Sequence, residues 1–258
     1  MNNIINMGKY LKKFETQSAY EAAESSLILP NVSLTVDNNT VHYNPYFDPY
    51  NGHEYAEIGG LKWATMNIGA TGVTDTGLYF QWGDISGYTA AQCGGGEGQK
   101  YFGWADYKYG NGTSDPGDTG MTKYNSTDGL TTLTSTDDAA KANWGGSWRM
   151  PTTDEFITLG NSTTSGWTNN YEGSGVKGLV LTSNTNQSVK LFFPAVGRCS
   201  EGVIRDAGSN GFYWSSSLNA SNSSMRYAYY LSFLSSQVFW HNGSLSRYNG
   251  FPVRCVVD

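Results

Sequence analysis

Hydrophobic positions change period several times along the chain. Between residues 4 and 25, Ile4, Met7, Leu11 and Phe14 recur at a three-four spacing in a Pro-free stretch rich in Ala, Glu, Lys and Leu, which predicts a short amphipathic helix. Two heptads are too few for a coiled coil, and the stripe suits packing between identical chains as well as packing on its own domain. The stretch from Leu27 to Pro45 then alternates apolar and polar residues around Asp37-Asn38-Asn39, the pattern of a β-hairpin. A polar, Pro-containing stretch from Tyr43 to Tyr55 separates this module, residues 1–50, from the remainder.

From Glu57 onward, short apolar or aromatic runs are punctuated every few residues by Gly, Asn, Asp and Ser, which predicts β-strands joined by many loops. One helix stands out, over Pro151 to Gly160. Thr152 or Thr153 offers a cap, Asp154 and Glu155 put acids in the first turn, Phe156, Ile157 and Leu159 form an apolar side, and Gly160 is expected to end it. Near the C-terminus, Ala228 to Val238 alternates. Tyr229, Leu231 and Phe233 are expected in the core together with Val253 and Val257 of a final strand, and Tyr230, Ser232 and Leu234 are expected outward. Between these strands, the stretch from Phe239 to Gly250 reads as a loop, in which Phe239, His241, Leu245 and Tyr248 have no obvious core to enter. The prediction is a β-rich α+β fold with long irregular loops, in one domain over residues 55–258, preceded by a short N-terminal helix and β-hairpin module.

Composition narrows the chemistry. A net charge of −6 and the lack of any Lys/Arg run argue against a nucleic-acid partner. No segment approaches the roughly 18 apolar residues of a membrane span, and the N-terminus lacks the apolar core of a signal peptide, so membrane insertion is not expected and folding in a cytoplasm is. The three cysteines, Cys93, Cys199 and Cys255, are too few for a disulfide framework or a four-ligand zinc site. They allow one Cys199–Cys255 bridge, but free buried thiols are the preferred reading.

His42, His53 and His241 lie far apart and in no ligand spacing, so no metal site is assigned and no cofactor is expected. The GGGEG and NGTSDPGDTG strings lack the features of phosphate or calcium loops and read as turns, as do the Asn-x-Ser/Thr triplets at Asn31, Asn111, Asn125, Asn161, Asn219 and Asn242. Asp137-Asp138 reads as a solvated turn and Asp154-Glu155 as a helix start. No catalytic residue is assigned, and the chain is not expected to be an enzyme. A carbohydrate-active enzyme, with a carboxylate pair assembled by the fold, is the alternative of another class. Tyr, Ser, Asn and Gly with a few large apolar groups, as found from Phe212 to Asp258, is the palette of recognition surfaces.

Seven segments appear in order: LKWATMNIG at Leu61, GLYFQWGD at Gly77, WGGSWRMPTTDEF at Trp144, LFFPAVGR at Leu191, GSNGFYWSSS at Gly208, AYYLSF at Ala228 and GFPVRCV at Gly250. Together they resemble the Fibrobacter major paralogous domain family, which is similar to the formylglycine-generating-enzyme branch of C-type lectin-like folds. The resemblance covers residues 55–258 and implies a C-type lectin-like fold. Many such domains resemble variable proteins of diversity-generating retroelements, in which template adenines are randomised to alter a C-terminal binding face, here about residues 212–258. An AAC codon altered at its adenines reaches Tyr, Ser, Leu, Phe, His, Gly, Asn and Arg. Phe212, Tyr227, Tyr230, Ser232, Leu234, Ser236, Phe239, His241, Gly243, Leu245 and Asn249 all belong to that set, and they are the candidate ligand-binding residues. They are interleaved with Trp214, Leu231, Phe233, Val238 and Trp240, which are expected to be fixed.

Two features of catalytic and sugar-binding relatives are missing: a close cysteine pair for copper, and Glu-Pro-Asn or Trp-Asn-Asp strings for calcium. Neither activity is therefore implied, and Trp63, Trp82, Trp144, Trp148 and Trp214 read as core. The first fifty residues resemble short N-terminal modules on structural proteins of phages infecting gut Bacteroidetes. The combined expectation is a receptor-binding protein at a phage tail or fibre tip, a homotrimer attached to a virion structural protein through residues 1–50 and recognising a bacterial surface protein or glycan. A bacterial cell-surface adhesin is the alternative location.

Overall fold

The structure, a computed structural model, describes residues 52–116, 120–221 and 225–257 throughout, and of the first fifty residues the backbone of four strands. The chain forms two compact units, Met1–Ala56 and Glu57–Asp258.

In the first unit, β1 (Asn3–Met7) and β2 (Tyr10–Phe14) pair antiparallel, β3 (Thr35–Asp37) and β4 (Thr40–His42) form a second hairpin, and β1 joins β4 in parallel to give the order β2-β1-β4-β3. The second hairpin falls at the Asp37-Asn38-Asn39 signal. The helix expected over residues 4–25 is overturned across its first half, which is β1 and β2. Ile4 and Ile5 are adjacent β-branched residues, restricted in a helix and suited to a pleated strand. Residues 15–25 and 43–51 lie outside the described residues.

The second unit is β-rich with two short helices. Its first hairpin, β5 (Tyr55–Ile58) and β6 (Leu61–Asn67), takes the last strand, β15 (Arg254–Val257), as an antiparallel neighbour of β6, in the order β15-β6-β5. Three more sheets follow: the meander β7 (Thr163–Thr168), β8 (Gly178–Ser183) and β9 (Lys190–Pro194), the hairpin β10 (Arg198–Ser200) and β11 (Val203–Arg205), and the meander β12 (Asn210–Leu218), β13 (Ala228–Leu234) and β14 (Gln237–Asn242). All four residues of β15 are buried. Arg254 among them donates to Asn67 Oδ1 (3.1 Å), to the carbonyls of Ala64 and Thr65 on β6, and to that of Phe192 on β9 (3.0 Å). Among the described residues no acid pairs with it, and the guanidinium is accommodated by satisfying strand carbonyls, tying two sheets together.

α1 (Ala139–Trp144) begins at Asp138, whose side chain accepts from Lys141 N, and α2 (Thr153–Asn161) begins at Thr152. The α2 cap is a reciprocal box: Glu155 N donates to Thr152 Oγ1 (3.3 Å) and Thr152 N to Glu155 Oε2 (2.7 Å). Arg149 holds the same carboxylate through both terminal nitrogens, at 2.8 and 2.6 Å. Phe156 and Leu159 face the core. Gly160 lies inside the helix and does not end it. Its role is space, since a Cβ there would sit 2.6 Å from Cε2 of Trp240 on β14.

Between β6 and α1, residues 68–138 form neither strand nor α-helix among the described residues. Aromatic rings and side-chain-capped turns hold this region. Trp82, Tyr107, Tyr109 and Tyr124 meet edge to face at 5.0–6.2 Å. Asn111 Oδ1 and Asn125 Oδ1 accept from the backbone N–H of Thr113 and Thr127, the turn chemistry read from those triplets. Asn161 lies in α2 and Asn242 in β14, so the turn reading fails there, and Asn31 lies outside the described residues. Asp137-Asp138, expected as a solvated turn, is buried. The cysteine reading also changes: the bridge joins Cys93 to Cys199, with Cα atoms 6.0 Å apart, and Cys255 is the free buried thiol. The chain folds the loop containing Cys93 back onto β10, a contact across 106 residues that spacing along the sequence does not reveal.

Candidate functional site

The β12-β13-β14 meander carries most of the candidate residues, and its register sorts them by face. Phe212, Ser232 and Phe239 lie opposite one another across the three strands, and Trp214, Tyr230 and Asn242 form the next such row. Phe212, Tyr230, Ser232 and Phe239 therefore share a face, as alternation predicts. The inner half of that face is not open. Phe251, just before β15, stacks on Trp214 at 3.9 Å and touches Tyr230 and Phe212 at 5.2 and 5.4 Å.

Tyr230, expected outward, is 1% exposed. Burial pushes its phenol upward against opposing hydrogen bonds from Ser244, and its hydroxyl lies 3.2 Å from Ser244 Oγ. Phe212 and Ser232 are also buried, the first beneath the Arg198 guanidinium at 5.0 Å, the second accepting from Asn242 Nδ2. Asn249 is buried as well and closes its own turn, donating to the Ser246 carbonyl at 2.8 Å. These four were expected at the surface and belong instead to the framework, because a segment from beyond the sheet roofs it. Tyr229 is corrected in the other direction. Expected in the core, it is half-buried and packs its ring on His241 at 4.1 Å, where a bulge between Tyr230 and Ser232 shifts the register of β14.

What remains open is an outer rim. Phe239 is 37% exposed, Ser236 and His241 are exposed, and Tyr227, Leu234, Gly243 and Leu245 are half-exposed. Gly243 is constrained, since a Cβ there would come within 2.7 Å of the Tyr229 ring and Asn219 Nδ2. The expected fixed positions do lie inward: Trp214, Leu231 and Phe233 are fully buried, and Val238 and Trp240 are half-buried on the side of β14 opposite Phe239. Val253 and Val257 are buried, as are Trp63, Trp82 and Trp148, while Trp144 is half-buried.

The loop after β14 is positioned by Arg247, a residue outside the candidate set. Fully buried, it donates to the carbonyls of Tyr124 (2.9 Å) and Lys123 (3.2 Å) and lies 5.3 Å from the rings of both Trp82 and Tyr107. Its own backbone pairs with Arg226 and Trp82. A lone Arg in a Ser-Leu-Ser-Arg-Tyr string carries no sign of burial, and only the ring cage in the 68–138 region reveals it.

No family model, characterised protein or solved structure matches the chain.

Asp137 is the centre of a second polar cluster. It accepts from the hydroxyls of Tyr109 and Tyr124 (2.6 Å for Tyr124) and from the ammonium groups of Lys108 (3.2 Å) and Lys123. Burial works to raise its carboxyl, but the hydrogen bonds from Lys123, Tyr109, Tyr124 and Lys108 outweigh it and hold the group well below the usual carboxylate range. Asp138 points elsewhere, to the backbone N–H groups of Lys141 (3.0 Å) and Met150 (2.9 Å), and burial raises it. Adjacent in sequence, the two acids serve different partners and do not form a pair facing a common substrate. Among the described residues, no helix is long and apolar enough to cross a membrane.

Proposed function

We propose that this chain is a ligand-recognition protein whose specificity lies in the outer rim of the β13–β14 hairpin and the following loop. The observation that supports this is the division of the candidate set. Ser236, Phe239 and His241 are exposed and Tyr227 and Leu245 half-exposed, and the scaffold beneath them is closed by Phe251, Arg247 and Trp214 without their help. Side chains that the core does not use can change without unfolding the domain, which is what a retroelement-diversified binding face requires. Phe239 and Tyr227 supply rigid contact area, and Ser236 and His241 supply adaptable hydrogen bonding.

The resemblance to the Fibrobacter major paralogous domain family, and through it to C-type lectin-like folds, fits a β-rich domain with two short helices and a long irregular region. On this reading the protein is a trimeric adhesin at a phage tail or fibre tip, held to a virion structural protein by residues 1–50 and binding a bacterial surface protein or glycan, with clustered copies raising avidity. The Cys93–Cys199 bridge favours a final residence outside a reducing cytoplasm, a condition that both a virion tip and a bacterial surface satisfy. Adhesion to a panel of gut bacterial strains tests the rim. A variant with Ser236, Phe239, His241 and Leu245 all changed to Ala is expected to lose adhesion with its melting temperature nearly unchanged. Equal adhesion by the folded variant overturns the assignment.

A further inference from the structure

A cleft of about 380 Å³ lies behind the β13–β14 hairpin, on the side away from Phe239. The turn Leu234–Gln237, with Val238 and Trp240 of β14, forms one wall, and Ser165, Gly166 and Trp167 of β7 form the other, with the buried Leu179 of β8 also lining it. Its volume is near the small end of the roughly 300–1,000 Å³ typical of ligand sites. We propose that this cleft binds a neutral saccharide, with Trp167 and Trp240 as its apolar walls and the turn side chains as its hydrogen-bonding rim.

The cleft gathers partly exposed tryptophans. Of eight in the chain, Trp63, Trp82, Trp104, Trp148 and Trp214 are buried, leaving Trp144, Trp167 and Trp240 partly exposed. Two of those three line this one cleft. Both are held in place: Trp167 Nε1 donates to Asn169 Oδ1 at 3.0 Å and its ring meets Phe233 edge to face at 6.5 Å, while the Trp240 ring rests on the bare Cα of Gly160. Fixed rings lose little freedom when a ligand arrives.

The remaining lining decides the ligand class. None of the lining residues is charged, so an ionic ligand would lose hydration without finding a counter-charge. Ser165, Ser235, Ser236 and Gln237 are exposed, and their side chains are engaged by no other described residue. A purely apolar ligand would cover these hydroxyl and amide groups without pairing them. A saccharide ring offers both an apolar C–H face for the indoles and a rim of hydroxyls for the serines and the amide. The cleft shares Leu234 and Ser236 with the outer rim, but the proposal rests on Trp167 and Trp240, and Trp240 and Phe239 point to opposite sides of β14.

The test uses the full chain against an immobilised panel of neutral oligosaccharides of hexoses and N-acetylhexosamines, with sialylated and uronic-acid counterparts. Neutral members are expected to bind, with affinity falling on the order of tenfold or more in Trp167→Ala. Gly166→Tyr serves as a second variant, because a Cβ at Gly166 meets nothing within 4 Å and the ring blocks the cleft without strain. Phe239→Ala is expected to bind the same glycans unchanged while impairing cell adhesion, so the cleft and the rim fail separately. Binding of no neutral saccharide, preference for the anionic members, or full retention of binding by folded Trp167→Ala and Gly166→Tyr overturns the proposal.

Discussion

Two tyrosines on neighbouring positions show what separates framework from rim. Tyr230 sits among Trp214, Phe212 and Phe251, and Tyr229 lies at the margin against His241. Tyr230→Ala is expected to cost about 3–5 kcal/mol, as truncations of large buried rings do, and Phe239→Ala less than about 1 kcal/mol. Chemical denaturation of both variants checks the contrast, and equal losses would erase the distinction between framework and rim. Asp137 gives a prediction in acid. Its folded carboxyl titrates below the ordinary 3.8, so its stabilising contribution is present at neutral pH and lost as pH falls through the depressed value. Asp137→Asn is expected to cost about 2–3 kcal/mol at neutral pH. The gap from wild type should narrow below pH 3.8 in thermal scans. Asp138, shifted upward, favours its protonated form and opposes part of that loss. A gap independent of pH would mean that the carboxylate charge is not what the two tyrosines and two lysines stabilise.

At the scale of elements, periodicity located β13 and the capped start of α2, because alternation and an S/T-x-x-E box are local signals, but it read Phe239–Asn242 as loop where the chain forms most of β14. It failed wherever a distant segment decides burial. Alternation along β13 put Tyr230 and Ser232 on one face, but only Phe251, some twenty residues on, shows that this face is covered. Gly160 read as a helix stop because a glycine's use as a seat for a ring on another element has no local mark, and Cys93 gave no hint of Cys199 for the same reason. Gly160→Ala is expected to overpack the Trp240 contact at a cost of about 1–3 kcal/mol and to shift the indole emission. Unchanged emission and stability would show that the ring does not depend on that seat. Reduction of Cys93–Cys199 is expected to remove about 2–4 kcal/mol, visible as a lower melting temperature with reductant. An identical melt would mean that the bridge adds nothing to the fold.

For the whole molecule, the account is of a constant scaffold bearing a small replaceable rim. Arg247 and Arg254 fasten the C-terminal segment to the ring cage and to β6 and β9, so the loop that carries Leu245 emerges from a fixed base. Short apolar runs punctuated by Gly, Asn, Asp and Ser made the β-rich domain legible, and the family resemblance proposes its C-terminal face as the binding surface. The division of that face into open and covered halves was not legible, because it depends on which buried rings the final turn brings back over the sheet. The most direct measurement is a display library in which Tyr227, Ser236, Phe239, His241 and Leu245 are randomised together, selected in parallel for folding and for adhesion to one host strain. The account predicts that most members fold while few adhere, and that new adherent sequences arise against a second strain. A library in which adhesion persists regardless of the rim, or in which most members fail to fold, would contradict it.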